Sequence, residues 1–163
     1  MRGNIRPGQI LIMNAIEIIQ EGKLILKSRI NGDFKGFDSE TLFPLANRQY
    51  WIQTTRKYWY YKSSQPAISI YKYGEKNYFL VDGQSEFVSV EQVTDVLEDT
   101  IVSEFTGWTG DTIFELNNGQ IWQQDEYSYR YHHAFRPTAL IYSVGPGYKM
   151  IVEGEGIRVK RIE

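Results

Sequence analysis

Along most of this chain apolar and polar residues alternate in short runs, the two-residue period of a strand with one buried face. Thr112-Ile113-Phe114-Glu115-Leu116 and Gln120-Ile121-Trp122-Gln123-Gln124 are two such runs. Asn118-Gly119 between them predicts a hairpin, because both residues accept the positive φ that a tight turn demands. A tyrosine-rich run (Tyr127, Tyr129, Tyr131) comes next, then a loop at Arg136-Pro137 and a strand from Ala139 to Tyr142. A turn at Gly145-Pro146-Gly147 leads into a strand from Tyr148 to Val152 and a last one near Ile157 to Arg161. Helical spacing is confined to Ala15 to Gln20 and to Val90 to Leu97, where apolar residues recur at about i, i+3 and i+7. The second of these is expected to form a short linking turn.

The pattern occurs twice. Shifting the chain by 71 residues against itself matches 17 of the 50 positions from Phe34 to Gly83 without a gap. Phe34, Gly36, Thr41, Phe43, Leu45 and Asn47 fall on Phe105, Gly107, Thr112, Phe114, Leu116 and Asn118. Gln49, Trp51, Gln53, Tyr58 and Tyr60 fall on Gln120, Trp122, Gln124, Tyr129 and Tyr131. The first copy has Asn47-Arg48 at the hairpin, and since arginine tolerates positive φ less well than glycine, a looser turn is expected there. With five or six short strands per copy and turn signals between them, the expected fold is all-β: two tandem SH3-like small barrels, residues 24–92 and 93–163. Residues 1–23 are left over as an N-terminal extension, read as an added edge strand or short helix.

The second copy carries a recognisable string: Phe105-Thr106-Gly107-Trp108, then Asp111 to Gln124, then Tyr131-His132-His133-Ala134-Phe135-Arg136-Pro137. It resembles small bacterial domains of unknown function with a GxTxFxLxNGQxWxQ…YHxAxRP pattern. The first copy keeps the Phe, Leu, Gln-x-Trp-x-Gln and Pro positions but has Tyr61-Lys62 in place of the histidines. The resemblance implies a small β domain that occurs singly or in tandem, and implies no activity.

Composition narrows the chemistry. The 163 residues include no cysteine, which excludes disulfides, Cys-ligated zinc, iron–sulfur clusters and a thiol nucleophile. The longest apolar stretch, Ile10 to Ile19, is interrupted by Asn14 and Glu17 and is shorter than the roughly 20 residues that span a bilayer. Arg2 and Arg6 precede it, but Pro7, Glu17 and the lack of a small-x-small cleavage site argue against export. The expectation is a cytoplasmic protein without membrane contact. No nucleophile elbow, phosphate-cradling glycine loop or H-E-x-x-H helix is present, so no catalytic residue, cofactor or enzyme activity is expected; a hydrolase built from scattered carboxylates stays a distant alternative. The net charge of −2 conceals an asymmetry: residues 1–82 carry +5 and residues 83–163 carry −7. Such a dipole suits a polyanion partner for the first copy, or attraction between unlike ends within or between chains.

The strand shared by both copies supplies the first candidate site: Gln49, Trp51 and Gln53, with Gln120, Trp122 and Gln124. If Asn118-Gly119 is a two-residue turn, Trp122 stands on the outer face between two amides, a surface suited to a peptide backbone, a sugar or a base. If the loop has three residues with a bulge at the glycine, Trp122 joins Phe114 and Leu116 in the core. Both registers fit the pattern. Tyr58 and Tyr60 recur in the second copy and are expected to be structural, whereas Trp59 and Tyr61 face Arg130 and His132 across the alignment and mark a divergent face for a copy-specific ligand. Lys57 and Lys62 beside Trp59 form a basic aromatic cluster of the kind single-stranded nucleic acids stack on. His132 and Arg136 complete the candidate set; adjacent His132 and His133 point to opposite faces of a strand, so no metal site is expected. Three functions remain: a non-enzymatic adaptor holding a peptide or protein, a nucleic-acid binder using the first copy, and a structural protein whose homodimer buries Trp51 and Trp122.

Overall fold

The computed structural model describes residues 13–163. The first part of the extension, residues 1–12 of the segment read as an edge strand or short helix, lies outside them. The described part opens with α1 (Ala15–Glu21), where Asn14 accepts the Glu17 N–H at 2.9 Å as the N-cap and Ala15 and Ile18 are buried. The helix ends at Gly22, whose N–H bonds Ile18 O at 2.8 Å. Eight strands follow: β1 (Lys23–Arg29), β2 (Asp33–Phe37), β3 (Leu42–Pro44), β4 (Tyr50–Gln53), β5 (Trp59–Ser64), β6 (Ala67–Tyr73), β7 (Lys76–Val81) and β8 (Phe87–Val93). Eight more complete the chain: β9 (Val96–Thr100), β10 (Phe105–Thr109), β11 (Ile113–Glu115), β12 (Ile121–Gln124), β13 (Tyr129–Ala134), β14 (Thr138–Val144), β15 (Gly147–Val152) and β16 (Glu155–Arg161).

Among the described residues the protein is all-β apart from α1, and the chain divides into two compact units, one ending at Gln92 and one spanning Val93–Glu163. The helical spacing at Val90 to Leu97 is overruled, since these residues end β8 and begin β9. Val88 faces Phe79 and Val90 faces Asn77 across the ladder with β7, a setting in which β-branched side chains are favoured and a helix would restrict them.

In the first unit a six-stranded sheet runs in the order β1-β6-β7-β8-β4-β3, with a separate ribbon of β2 and β5. The second unit repeats this order as β9-β14-β15-β16-β12-β11, with a ribbon of β10 and β13. The ladders do not close either sheet into a barrel. Among the described residues the chain just past the two edge strands of each sheet meets at a single bridge, Ile30–Leu45 in the first unit and Ile101–Leu116 in the second. Edge strands as short as β3 and β11, each three residues, leave little backbone for further pairing.

Each ribbon lies over its own sheet and seals its own core. Phe34 and Phe37 of β2 enter the first core with Phe43, Trp51, Ile70 and Phe79, where Phe43 and Phe79 stack at 4.1 Å. Phe105 and Trp108 of β10 enter the second with Phe114, Trp122, Ile141 and Met150. Residues three apart face opposite sides of a regular strand; here both face inward because the ladder slips at a bulge between Phe34 and Gly36, and between Phe105 and Gly107. The bulge requires glycine. Gly36 has φ 107° and a Cβ there would sit 1.8 Å from Trp59 O; Gly107 has φ 99° and its Cβ would sit 1.9 Å from Arg130 O. Gly36→Ala or Gly107→Ala is expected to destabilise its unit by about 3 kcal/mol, combining backbone strain with overpacking. Chemical denaturation of each variant checks this, with Gly74→Ala, whose added methyl meets open space, as the control that carries backbone strain alone.

Candidate functional site

The β11–β12 turn decides which face the shared tryptophan takes. Phe114 lies directly opposite Trp122, and Glu115 opposite Ile121, so the loop between Leu116 and Gln120 has three residues, Asn117, Asn118 and Gly119. Gly119 adopts φ 90°. The first unit pairs Phe43 with Trp51 in the same register. Its turn is no looser for having Arg48, which takes φ 69°. Leu45 N–H bonds Gln49 O at 2.9 Å and Arg48 N–H bonds Leu45 O at 3.0 Å, and the distances at Leu116 and Gly119 are the same. The turn hydrogen bonds and the core contact of the tryptophan impose the left-handed conformation on arginine.

Trp51 and Trp122 are therefore core residues, 5% and 4% exposed. The outward-facing aromatic–amide surface is not displayed by either copy. The glutamines serve the tryptophan and the neighbouring loop instead. Gln49 Oε1 and Gln120 Oε1 each accept the indole N–H at 3.1 Å, which satisfies the one donor a buried tryptophan carries. Gln124 Nε2 donates to Glu126 O and Ser128 O, both at 2.9 Å, while its Oε1 accepts from Thr109 N–H at 3.1 Å and Gly110 N–H at 3.0 Å. Gln53 Nε2 likewise holds Thr55 O and Lys57 O. Its Oε1 is buried without a partner among the described residues, and the equivalent Asp38 N–H bonds Thr41 Oγ1 at 2.9 Å.

Strand β5 also has the opposite facing from the one expected. Trp59 and Tyr61 are half-buried against the first core, stacked on each other at 4.9 Å and 6°, with Trp59 5.0 Å from Phe37. Lys57 faces the same way. Its ammonium pairs with Glu86 at 2.7 Å, donates to Phe87 O at 3.0 Å and lies 4.6 Å from the Phe87 ring. Lys62 is on the other face and exposed, so Lys57, Trp59 and Lys62 do not form one surface. His132, the counterpart of Tyr61, is half-buried; its ring lies 6.4 Å from Phe105 and its Nε2 meets the Glu153 carboxylate. Arg136 is exposed at φ 45°, with its guanidinium 6.0 Å from the Phe135 ring. Among the described residues no group of three His, Cys, Asp or Glu side chains is placed to hold a metal ion, and no helix is long and apolar enough to cross a membrane.

The residues brought out to solvent are the recurring tyrosines expected to be structural. Tyr60 and Tyr131 are both 79% exposed, and Tyr58, Tyr129 and Tyr127 are exposed beside them, as is Phe135. Tyr60 stands opposite Gly36 and Tyr131 opposite Gly107, so each phenol projects from a ribbon position where the partner strand has no side chain. Tyr127 and Tyr129 meet edge to face at 5.2 Å. Arg56 donates to Tyr58 Oη through Nη2 at 3.3 Å and Nε at 3.4 Å; this hydrogen bond, with one from Ser39, draws the Tyr58 phenol below its ordinary pKa. The signal in the sequence is the identity of Tyr58 and Tyr60 with Tyr129 and Tyr131, which is compatible with packing but coincides here with a repeated outer face.

Comparison with protein-family models, with curated proteins and with solved structures finds no match to this chain. The placement of the four tryptophans is directly measurable. Trp51, Trp108 and Trp122 are buried and Trp59 is half-buried, so iodide is expected to quench Trp59 alone, and quenching should nearly vanish in Trp59→Phe. Strong residual quenching in that variant would put a core indole outside.

Proposed function

We propose that this chain is a non-enzymatic binding module that holds a peptide or protein partner on the tyrosine-bearing outer face of the β2–β5 and β10–β13 ribbons. The observation that carries this reading is the exposure of the same two tyrosines in both units, Tyr58 and Tyr60 with Tyr129 and Tyr131. A tyrosine offers a large apolar face with few rotatable bonds and a hydroxyl at its tip, which is why such residues concentrate binding energy at interfaces. Exposing four in equivalent places has no packing rationale within the unit. The finer reading of each unit as an SH3-like barrel is supported by the meeting of its edge strands at Ile30–Leu45 and Ile101–Leu116. The homodimer that would bury Trp51 and Trp122 loses its motive, since each indole is already covered within its own unit.

One observation favours nucleic acid as a second reading: Lys62 shares the exposed face of β5 with Tyr60, and Arg56 is held at the exposed Tyr58 just before that strand. Panning a random peptide library displayed on phage, beside anisotropy of a labelled single-stranded oligonucleotide, separates the two. The peptide reading expects enriched sequences whose affinity falls about tenfold or more in Tyr60→Ala/Tyr131→Ala, with no salt-sensitive oligonucleotide binding. Oligonucleotide binding that falls steeply with salt and is lost in Arg56→Ala/Lys62→Ala supports the second reading instead. Peptide binding indifferent to both tyrosines, or no enrichment, contradicts the first.

A further inference from the structure

The junction of the sheet edges carries different chemistry in the two units. In the second, the Ile101–Leu116 bridge sets Asp99 beside the hairpin turn. Asp99 Oδ2 accepts the Asn118 N–H at 2.9 Å and its Oδ1 accepts the Thr100 N–H at 2.8 Å. The turn is thus closed by a carboxylate of its own chain.

In the first unit the Ile30–Leu45 bridge puts Ser28 where Asp99 stands and Asn47 where Asn118 stands. The backbone there is the same: Ala46 N–H bonds Arg29 O at 2.8 Å, as Asn117 N–H bonds Thr100 O at 2.9 Å, and the turn bonds at Arg48 and Gly119 are both 3.0 Å. Serine brings no carboxylate, and among the described residues no acceptor bonds the Asn47 N–H. Around it the surface dips into a shallow depression of about 570 Å³ whose lining includes Lys27, Ser28, Arg29, Asn47 and Asp82.

The charge has changed along with the carboxylate. Where the second unit has Glu98, Asp99 and Thr100, the first has Lys27, Ser28 and Arg29. Lys27 is held at the rim: Nζ donates to Ser69 Oγ at 2.9 Å and pairs with Asp82 at 3.3 Å, while Ser69 Oγ donates to the other Asp82 oxygen at 2.6 Å. Asp82 offsets part of that charge, so Arg29 is the main cation. Its Nη1 donates to Gln65 O at 3.1 Å, and the residue lines the depression together with Asn47. A guanidinium and an open backbone N–H together make the donor set that a carboxylate accepts from.

We propose that this depression binds a carboxylate from outside the chain, the acidic side chain of a peptide, at the place on Asn47 N–H that Asp99 occupies in the second unit, with Arg29 and Lys27 supplying the positive charge. The peptide as source rests on the function proposed above. The carboxylate site does not, since it uses none of the tyrosines, and the two fail separately.

The test is a ¹H–¹⁵N NMR titration with N-acetyl-aspartate-N-methylamide, its asparagine counterpart and inorganic phosphate as probes. The expected result is a saturable downfield shift of the Asn47 amide with the aspartate probe alone. In Ser28→Asp that amide should already be displaced in the same direction without probe, and aspartate affinity should fall at least tenfold. Arg29→Ala should weaken it comparably while leaving the remaining spectrum dispersed. An equal shift with the asparagine probe, no saturable shift at Asn47, or an unchanged titration in Ser28→Asp would overturn the proposal. Saturation by phosphate without aspartate would overturn it in favour of a phosphoryl group.

Discussion

The slip of one residue at Gly36, and again at Gly107, is the constraint on which each unit depends. Without it Phe34 and Phe37 would point to opposite sides of β2, and the ribbon would bury one aromatic ring where it now buries two. With it the ribbon seals the core, and its backbone approaches the facing strand more closely than any Cβ would allow. The orientation of that facing strand follows. Trp59 and Tyr61 turn toward the Phe34 and Phe37 rings, so Tyr58, Tyr60 and Lys62 turn to solvent.

A second constraint of the same kind acts at the hairpin turn. A three-residue loop, with the left-handed position filled by Gly119 in one unit and by Arg48 in the other, sends Trp122 and Trp51 inward. Because strand side chains alternate with a period of two, one residue more or less in a turn or bulge exchanges the entire inner and outer sets. These two local choices assign the core and the outer face between them. The glutamines flanking each tryptophan are then explained by hydrogen-bond satisfaction: one serves the indole, the other the backbone of the following loop. Neither needs a ligand to account for it.

This explains what was legible in the residues. The all-β class and the Asn118-Gly119 hairpin could be read from periodicity and turn chemistry, whereas the spacing from Ala15 to Gln20 left an edge strand and a short helix both open. Positions identical between the copies, such as Phe43 with Phe114 and Ile70 with Ile141, lie in the cores. Facing was not legible, because the hydrophobic pattern is nearly symmetric about β5: tyrosine and tryptophan occupy both parities from Tyr58 to Tyr61, and burial then depends on where the β2–β5 pairing slips. Repetition of Tyr58 and Tyr60 was consistent with packing and with display alike. The closing of the Asn118 turn by Asp99, and its lack of a counterpart at Ser28, could be found only once the two bridges had aligned the units.

The central claim is that the repeated tyrosines Tyr58 and Tyr60, with Tyr129 and Tyr131, are the displayed surface and that the bulge glycines put them there. Nitration of the native protein with tetranitromethane, read tyrosine by tyrosine by mass spectrometry, tests it most directly. Early modification of Tyr58, Tyr60, Tyr129 and Tyr131, with Tyr142 protected at 1% exposure and Tyr61 slow, is the predicted result. Rapid nitration of Tyr61 with Tyr60 protected would mean that the strand faces the other way, and would contradict the account.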